Sequence, residues 1–323
     1  MTSKKLQQSI IDRFKLTPPS RQEIIHQSLN FYVTNGEMYD TTTGEYIGDK
    51  YQIPQWLQPI KKKNEKYIKF KINEDAIKQH SDANGGFVWC LFNSINRFPT
   101  LNKKDIARLL YLATYVHYKD SVLQKGDGTK ITIDTIHTLI KLSKKRAKEF
   151  IDKLIHEQII KVDDRQIYIS PEVFYKGQIK DIKSVTKDLQ YIRLFRKTVR
   201  QIFESAKENE LAHIATIYSV LPYINLNHNY ICSNPKEEDI EYIKMIDTMT
   251  LCKKLNYSSY NKMMSQFRKL TVNDEPVFNF FEDVNDRRKR NIVVNPKVVY
   301  AGNNAEYLKA LNGLFIKNKN TNT

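Results

Sequence analysis

The chain is 323 residues long, with 52 Lys plus Arg against 36 Asp plus Glu, a formal net charge of +16 at pH 7 and 41% hydrophobic residues. That length allows about two domains with real cores, and the cationic excess favours polyanions, nucleic acid first among them. No apolar run approaches the roughly 18 residues of a spanning helix, no signal-peptide pattern is present, and Met1-Thr2-Ser3 and Asn320-Thr321-Asn322-Thr323 carry no lipidation motif, so no membrane partner and a cytoplasmic protein are expected.

Residues 3–15 place Leu6, Ile10, Ile11 and Phe14 on one helical face before Pro18-Pro19. Ser20 and Glu23 then make a capping-box pattern that opens a second short helix with Ile24, Ile25 and Leu29 on its apolar side. This arm could dock on the body or support a homodimer. From Phe31 to Ile47 the pattern turns to strands, with a hairpin signal at Asn35-Gly36 and a turn at Thr43-Gly44, and the alternation of Lys66 to Ile72 predicts another strand. Residues 1–86 therefore read as a helical arm and a small β-hairpin region.

A first module is expected over 87–180. Phe87 to Ile95 (F-V-W-C-L-F-N-S-I) reads as an apolar helix and Ile106 to Tyr118 as a second, and Lys125-Gly126-Asp127-Gly128 is a turn. Ile133 to Lys141 makes a short helix and Leu142-Ser143 a turn. Lys144 to Glu157 follows as a helix capped by Ser143, packing through Ala147, Phe150, Ile151 and Leu154. A hairpin of Ile159–Val162 and Gln166–Ile169 turns at Asp163-Asp164-Arg165. The polar, lysine-rich stretch between Gly177 and Leu189 marks the boundary.

A second module over 190–312 repeats the order. Tyr191 to Phe203 and Ala212 to Ile224 are its first helices, Ile246 to Lys254 and Tyr260 to Leu270 answer the helix-turn-helix, and Ser259 takes the place of Ser143. The hairpin is longer, Val277–Glu282 and Asn291–Val294 around a tip at 283–290. A short helix around Ala305 to Leu311 follows, and 313–323 reads as a disordered tail.

The two hairpins end alike. Ile167 to Gly177 is I-Y-I-S-P-E-V-F-Y-K-G and Ile292 to Gly302 is I-V-V-N-P-K-V-V-Y-A-G, so Ile167/Ile292, Pro171/Pro296, Val173/Val298, Tyr175/Tyr300 and Gly177/Gly302 pair at one offset. A helix-turn-helix followed by a hairpin is the order of a winged helix, whose commonest use is gripping duplex DNA. The expected fold is mainly α (α+β), with two tandem winged-helix modules behind an N-terminal helical and hairpin extension.

Lys144, Lys145, Arg146 and Lys148 open the first recognition helix, where lysines hold phosphates and Arg146 could reach a guanine edge. In the second module Tyr260, Asn261 and Lys262 open the helix, Asn261 being suited to adenine, and Arg287, Arg288, Lys289 and Arg290 load the wing for backbone or a narrow minor groove. Asp163 and Asp164 at the first wing tip would repel phosphates. A solvated helix face or a mobile loop would carry the same basic runs, and the order of elements is what favours DNA.

Cys90, Cys232 and Cys252 are far apart and odd in number, against a disulfide framework or a metal knuckle, and read as core residues. The seven histidines form no His-x-His pair, no phosphate loop is present, and Tyr175 and Tyr300 read as core residues rather than nucleophiles. No enzymatic activity, metal or cofactor is expected.

The strand, Asn-Pro, apolar pair, aromatic, x, Gly ending of Val293 to Gly302, and its cousin in Tyr168 to Gly177, resemble the end of the winged helix in RepL-type Firmicute plasmid replication proteins and related phage proteins. Asp40-Thr41-Thr42-Thr43-Gly44-Glu45 is similar to the D-x-x-T-G-E opening of such proteins, and two winged helices in one chain resemble iteron-binding plasmid initiators. The RepL-type pattern is a single module, which this chain departs from. The resemblance implies a sequence-specific double-stranded DNA-binding protein, an initiator, repressor or other regulator of plasmid or bacteriophage replication or transcription. A scaffold for an acidic protein partner is the alternative, and a DNA-processing enzyme the third reading.

Overall fold

A computed structural model describes residues 31–34, 37–40, 44, 58–92, 98–182, 189–282 and 290–316. The chain divides into two units, Met1–Phe70 and Lys71–Thr323. The helices expected within 3–29, the tip 283–289 and the tail from 317 lie outside the described residues.

In the first unit β1 (Phe31–Thr34) and β2 (Glu37–Asp40) pair antiparallel and the ladder closes at Thr34↔Glu37, the spacing a two-residue Asn35-Gly36 hairpin requires. The expected strand at Lys66 to Ile72 is instead part of α1 (Gln58–Ala83). Ile60 to Asn84 contains no Gly or Pro, so helix formation meets no breaker. The alternation also has no sheet to face: Tyr67 and Phe70 are each 60% exposed.

The second unit mixes helices and strands. After β3 (Phe87–Phe92) come α2 (Lys103–Ala113), α3 (Ile136–Leu139), α4 (Lys144–His156), the hairpin β4 (Ile160–Asp163) and β5 (Gln166–Ile169), and β6 (Phe174–Tyr175). Next are β7 (Gln190–Phe195), α5 (Arg196–Ser205), α6 (Leu211–Val220), α7 (Thr248–Lys254) and α8 (Tyr260–Lys269). The short strands β8 (Thr271–Val272) and β9 (Glu275–Pro276), the hairpin β10 (Phe278–Glu282) and β11 (Arg290–Val294), β12 (Val299–Tyr300) and α9 (Ala305–Gly313) complete it.

Two expected helices are corrected here. Phe87–Phe92 is a strand, and Tyr191 to Phe195 belongs to β7, with the helix starting only at Arg196. Short, mostly apolar runs such as F-V-W-C-L-F and Y-I-R-L-F are too short for periodicity to separate helix from buried strand. Both runs form the middle of an antiparallel sheet of order β12-β7-β3-β6, in which β3 and β7 pair from Phe87↔Phe195 to Phe92↔Gln190. Val88, Cys90, Ile192 and Leu194 share one face of this ladder and are fully buried, as is Leu91 on the other face.

The two halves repeat their hydrogen bonds as well as their letters. Leu123 N donates to Ile167 O at 2.8 Å and Ile231 N to Ile292 O at 2.9 Å. Ser170 N reaches Ile159 O and Asn295 N reaches Val277 O, both at 2.8 Å, and Leu91 N to Val173 O (2.9 Å) is matched by Phe195 N to Val298 O (3.0 Å). At equivalent places on the paired central strands, Trp89 Nε1 and Arg193 Nη1 each donate at 3.0 Å, to the carbonyls of Gly177 and Gly302.

The shared Tyr-x-Gly ending has a steric cause. A Cβ added at Gly177 would lie 2.6 Å from Tyr175 Cζ, and one at Gly302 2.7 Å from Tyr300 Cζ, so each ring occupies the space a side chain would need. Tyr175 and Tyr300 are buried as expected, and burial pushes the Tyr300 phenol up to about 12. One hydrophobic cluster runs from Val88 through both halves to Val299, and Tyr111 of α2 stacks on Phe203 of α5 with centroids 4.0 Å apart. The three cysteines are buried and unbridged.

Gly177→Ala and Gly302→Ala should each lower unfolding free energy in urea by about 1–3 kcal/mol through overpacking. Gly126→Ala, with nothing within 4 Å of the added Cβ, should stay within about 0.5 kcal/mol. Equal stability of all three would show that the tyrosine rings give way freely.

A second expectation concerns His80, whose Nε2 donates to Pro296 O at 2.9 Å and whose ring meets Phe195 edge-on at 4.9 Å. Burial holds its pKa below the ordinary 6.5, with Lys297 and Arg193 adding repulsion against the bond to Pro296. The unfolded chain thus takes the proton first. His80's contribution is complete above about 6.5 and is lost as pH falls through the lower folded value. Urea unfolding at pH 7.5 and pH 5.5 should show a smaller pH loss in His80→Gln than in the parent, the remainder including His213, which burial also depresses.

Candidate nucleic-acid interface

The helix α4 begins where Ser143, in extended backbone, accepts a bond from Arg146 N at 3.4 Å. Ala147, Phe150, Ile151 and Leu154 are buried as the sequence predicts, which turns the opposite face outward. Lys144, Lys145, Arg146 and Lys148 are all exposed, and none forms an ion pair among the described residues. Helical geometry separates them. Lys145 and Lys148 lie toward the outer side and Lys144 and Arg146 toward opposite flanks of the buried stripe, Arg146 standing seven residues, two turns, before Lys153, whose Nζ is 2.9 Å from Asp105 of α2. Arg146 therefore occupies the flank that Lys153 turns to α2. It lines a cleft of about 490 Å³ with Lys141, Leu142, Ser143, Ala206, Glu208 and Leu211.

Charge along α4 is segregated. The first turn holds cations and no acid, and Glu149 and Asp152 follow on the exposed surface. Cations at a helix N-terminus oppose the macrodipole by about 0.3–1 kcal/mol each, so this end is electrostatically unfavourable in the free protein and favourable beside a polyanion.

The turn before α4 is fixed to the second half by buried chemistry that sequence reasoning missed. Arg108, 3% exposed, donates through Nε to Ile140 O at 3.2 Å and through Nη2 to both oxygens of Glu208 at 2.8 and 2.9 Å. Partial burial works against the Glu208 carboxylate, but hydrogen bonds from Arg108 and Lys104 outweigh it and hold its pKa below the usual range. Lys141 Nζ donates to Glu204 O at 3.1 Å. These bonds join residues 32 to 100 positions apart, and no local spacing announces them.

In α8, Asn261 and Lys262 are exposed and Met263, Met264 and Phe267 are buried. Ser259 stands at the cap position without a side-chain bond, unlike Ser143. Tyr260 is half-buried against the core, its hydroxyl 3.3 Å from Thr248 Oγ1. Arg290 opens β11 opposite Glu282 and is partly exposed, whereas Arg287, Arg288 and Lys289 lie outside the described residues. At the other hairpin Asp163 and Asp164 are exposed, Asp164 and Arg165 have positive φ, and Arg165 Nη1 is 3.3 Å from Asp134. Among the described residues no His, Cys, Asp and Glu group could hold a metal ion, and no helix is long and apolar enough to cross a membrane.

The electrostatics of α4 separate stability from binding. Lys144→Glu and Lys145→Glu should leave thermal stability unchanged or raise it, since an acid in the first turn complements the dipole, whereas Ser143→Ala should cost about 1 kcal/mol. Thermal unfolding of the three variants checks this. A clear loss of stability in either lysine variant would mean that the lysine is held by the fold.

No protein-family model, curated protein or solved structure matches this chain.

Proposed function

We propose that the chain binds a specific double-stranded DNA site through two tandem winged helices, and that it controls replication or transcription of a plasmid or bacteriophage without enzymatic activity of its own. The observation that carries this reading is the first turn of α4, where three consecutive exposed cations, Lys144, Lys145 and Arg146, stand with no acid in the turn and oppose the helix dipole. A duplex presented to that end relieves the repulsion, and the N-terminal end of a recognition helix is the part that meets base edges in the major groove. The repeated hydrogen bonds and the helix, turn, helix, hairpin order in both halves support the duplicated module.

Within this reading Lys144, Lys145, Lys148 and Lys262 hold phosphates, while Asn261 and Arg146 read bases, Arg146 from the flank of its helix. Tyr260 sets the start of α8 from its half-buried position. Arg287, Arg288, Lys289 and Arg290 grip the backbone, and the acidic first hairpin tip stays clear of it.

Affinity for the cognate duplex should fall steeply with salt, because each lysine–phosphate contact releases condensed counterions. Lys145→Ala should weaken cognate and scrambled duplexes alike and lower the salt slope by about one. Asn261→Ala should cost about 1–3 kcal/mol at one or two base positions and relax preference there. Binding isotherms over a salt series measure both. A flat salt dependence, or absence of duplex binding at low salt, would favour the protein-scaffold reading.

A further inference from the structure

Two arginines meet where the two halves join, and both act on a third cation, Lys176. Arg196 and Arg200 stand one turn apart on α5 and both turn to the C-terminal end of α2. Arg196 Nε donates to Thr114 O at 2.6 Å, Arg200 Nη2 donates to the same carbonyl at 2.8 Å, and Arg200 Nε reaches Thr114 Oγ1 at 2.9 Å. The Arg200 guanidinium lies over the Tyr115 ring, 3.9 Å from its centroid. Lys176 comes from the strand end that the duplicated motif builds, with its backbone fixed by Lys119 N donating to Lys176 O at 2.8 Å.

Closing the end of α2 accounts for part of this arrangement. A helix C-terminus offers at most about half a negative charge, against three full positive ones. All three side chains are only partly exposed, and among the described residues none of them forms an ion pair. The charged groups acting on Lys176 are Arg196 and Arg200, both repulsive, and with burial they hold its ammonium below its ordinary pKa. Arg196 Nη1 and Nη2, Arg200 Nη1 and Lys176 Nζ are left without a hydrogen-bond partner among the described residues. Two arginines fixed side by side on Thr114, with donors unspent and a half-buried lysine that they repel, are complementary to a compact oxyanion.

We infer that Lys176, Arg196 and Arg200 form a phosphate-binding site at the junction of the two halves. Its ligand is a phosphate group, supplied by the backbone of a bound duplex or by free phosphate. The backbone source rests on the DNA-binding reading and the free-phosphate source does not. Along α5 Arg200 and Arg196 lie about 6 and 12 Å from Glu204, where Lys141 attaches the turn before α4, at 1.5 Å per helical residue. A backbone phosphate held here would fix a duplex to both halves at once.

The test uses the full chain and Lys176→Gln, chosen because the Lys176 side chain has no hydrogen-bond or ion-pair partner among the described residues. In chloride, Lys176→Gln should unfold at the same or a higher temperature than the parent, since it removes repulsion. A lower temperature would overturn the proposal by showing that the ammonium is held by the protein. Inorganic phosphate at matched ionic strength should raise the parent's unfolding temperature more than the variant's, a comparison that cancels the general stabilising effect of phosphate. Duplex binding over a salt series should show a slope smaller by about one in the variant.

Loss of both effects supports a site open to either source. Loss of the slope alone assigns it to the backbone, and loss of the phosphate response alone assigns it to free phosphate. If neither changes, the site is overturned while duplex binding by the parent still stands. If the parent binds no duplex yet shows a phosphate response that needs Lys176, the DNA-binding reading fails and the site survives. Arg200→Lys, which keeps the charge but loses the fork to Thr114, should retain part of the phosphate response, and a complete loss with unchanged chloride stability would also overturn the three-cation assignment.

Discussion

The antiparallel ladder between β3 and β7 is the constraint on which the second unit depends. Six residues from each half pair in register, from Phe87↔Phe195 to Phe92↔Gln190, and each strand then receives the short strand that ends its own hairpin motif, β6 on β3 and β12 on β7. Neither strand would be central without the other. Because the ladder sets Val88, Cys90, Ile192 and Leu194 on one buried face, the halves share a core, and a register slip of one residue would turn that whole set to the wrong side.

From this pairing follow the positions of the helices. The end of α2 meets the start of α5 through Thr114, Arg196 and Arg200, and the stack of Tyr111 on Phe203 continues the contact. Farther along, Arg108 and Glu208 close the junction beneath the turn that launches α4. Arg108 is 3% exposed, and its pairing with a carboxylate from the other half meets the requirement that a buried charge be hydrogen-bonded. The exposed cations of α4 are thus carried on a helix whose starting turn is held at two places, Ile140 and Lys141. Such support limits the freedom of a binding surface and reduces the ordering cost of association.

Charge is distributed with the same economy. Glu149 and Asp152 balance the exposed length of α4, and Asp105 takes Lys153, while its first turn is left uncompensated. The junction cations form no ion pair among the described residues, whereas Arg108 pairs with Glu208, Asp105 with Lys153, and Lys297 with Glu275 at 2.6 Å.

Local physics made much of this legible. The Ser143 cap, the period of Ala147, Phe150, Ile151 and Leu154, the hairpins at Asp164-Arg165 and around 282–290, and the Tyr175/Tyr300 and Gly177/Gly302 echo all depend on neighbours a few residues apart, and the sequence alone determined them. Exposure of Lys144, Lys145, Lys148 and Asn261 followed from the same periodicity. Phe87–Phe92 and Tyr191–Phe195 were misread because an apolar run is a strand only if a partner strand exists, and that partner is about a hundred residues away. Lys66 to Ile72 failed conversely, since its alternation has no sheet to join. The Arg108–Glu208 pair, the inward flank of Arg146 and the meeting of Lys176 with Arg196 and Arg200 were decided by tertiary structure alone, because long-range pairing brings together charges whose separation along the chain carries no signal.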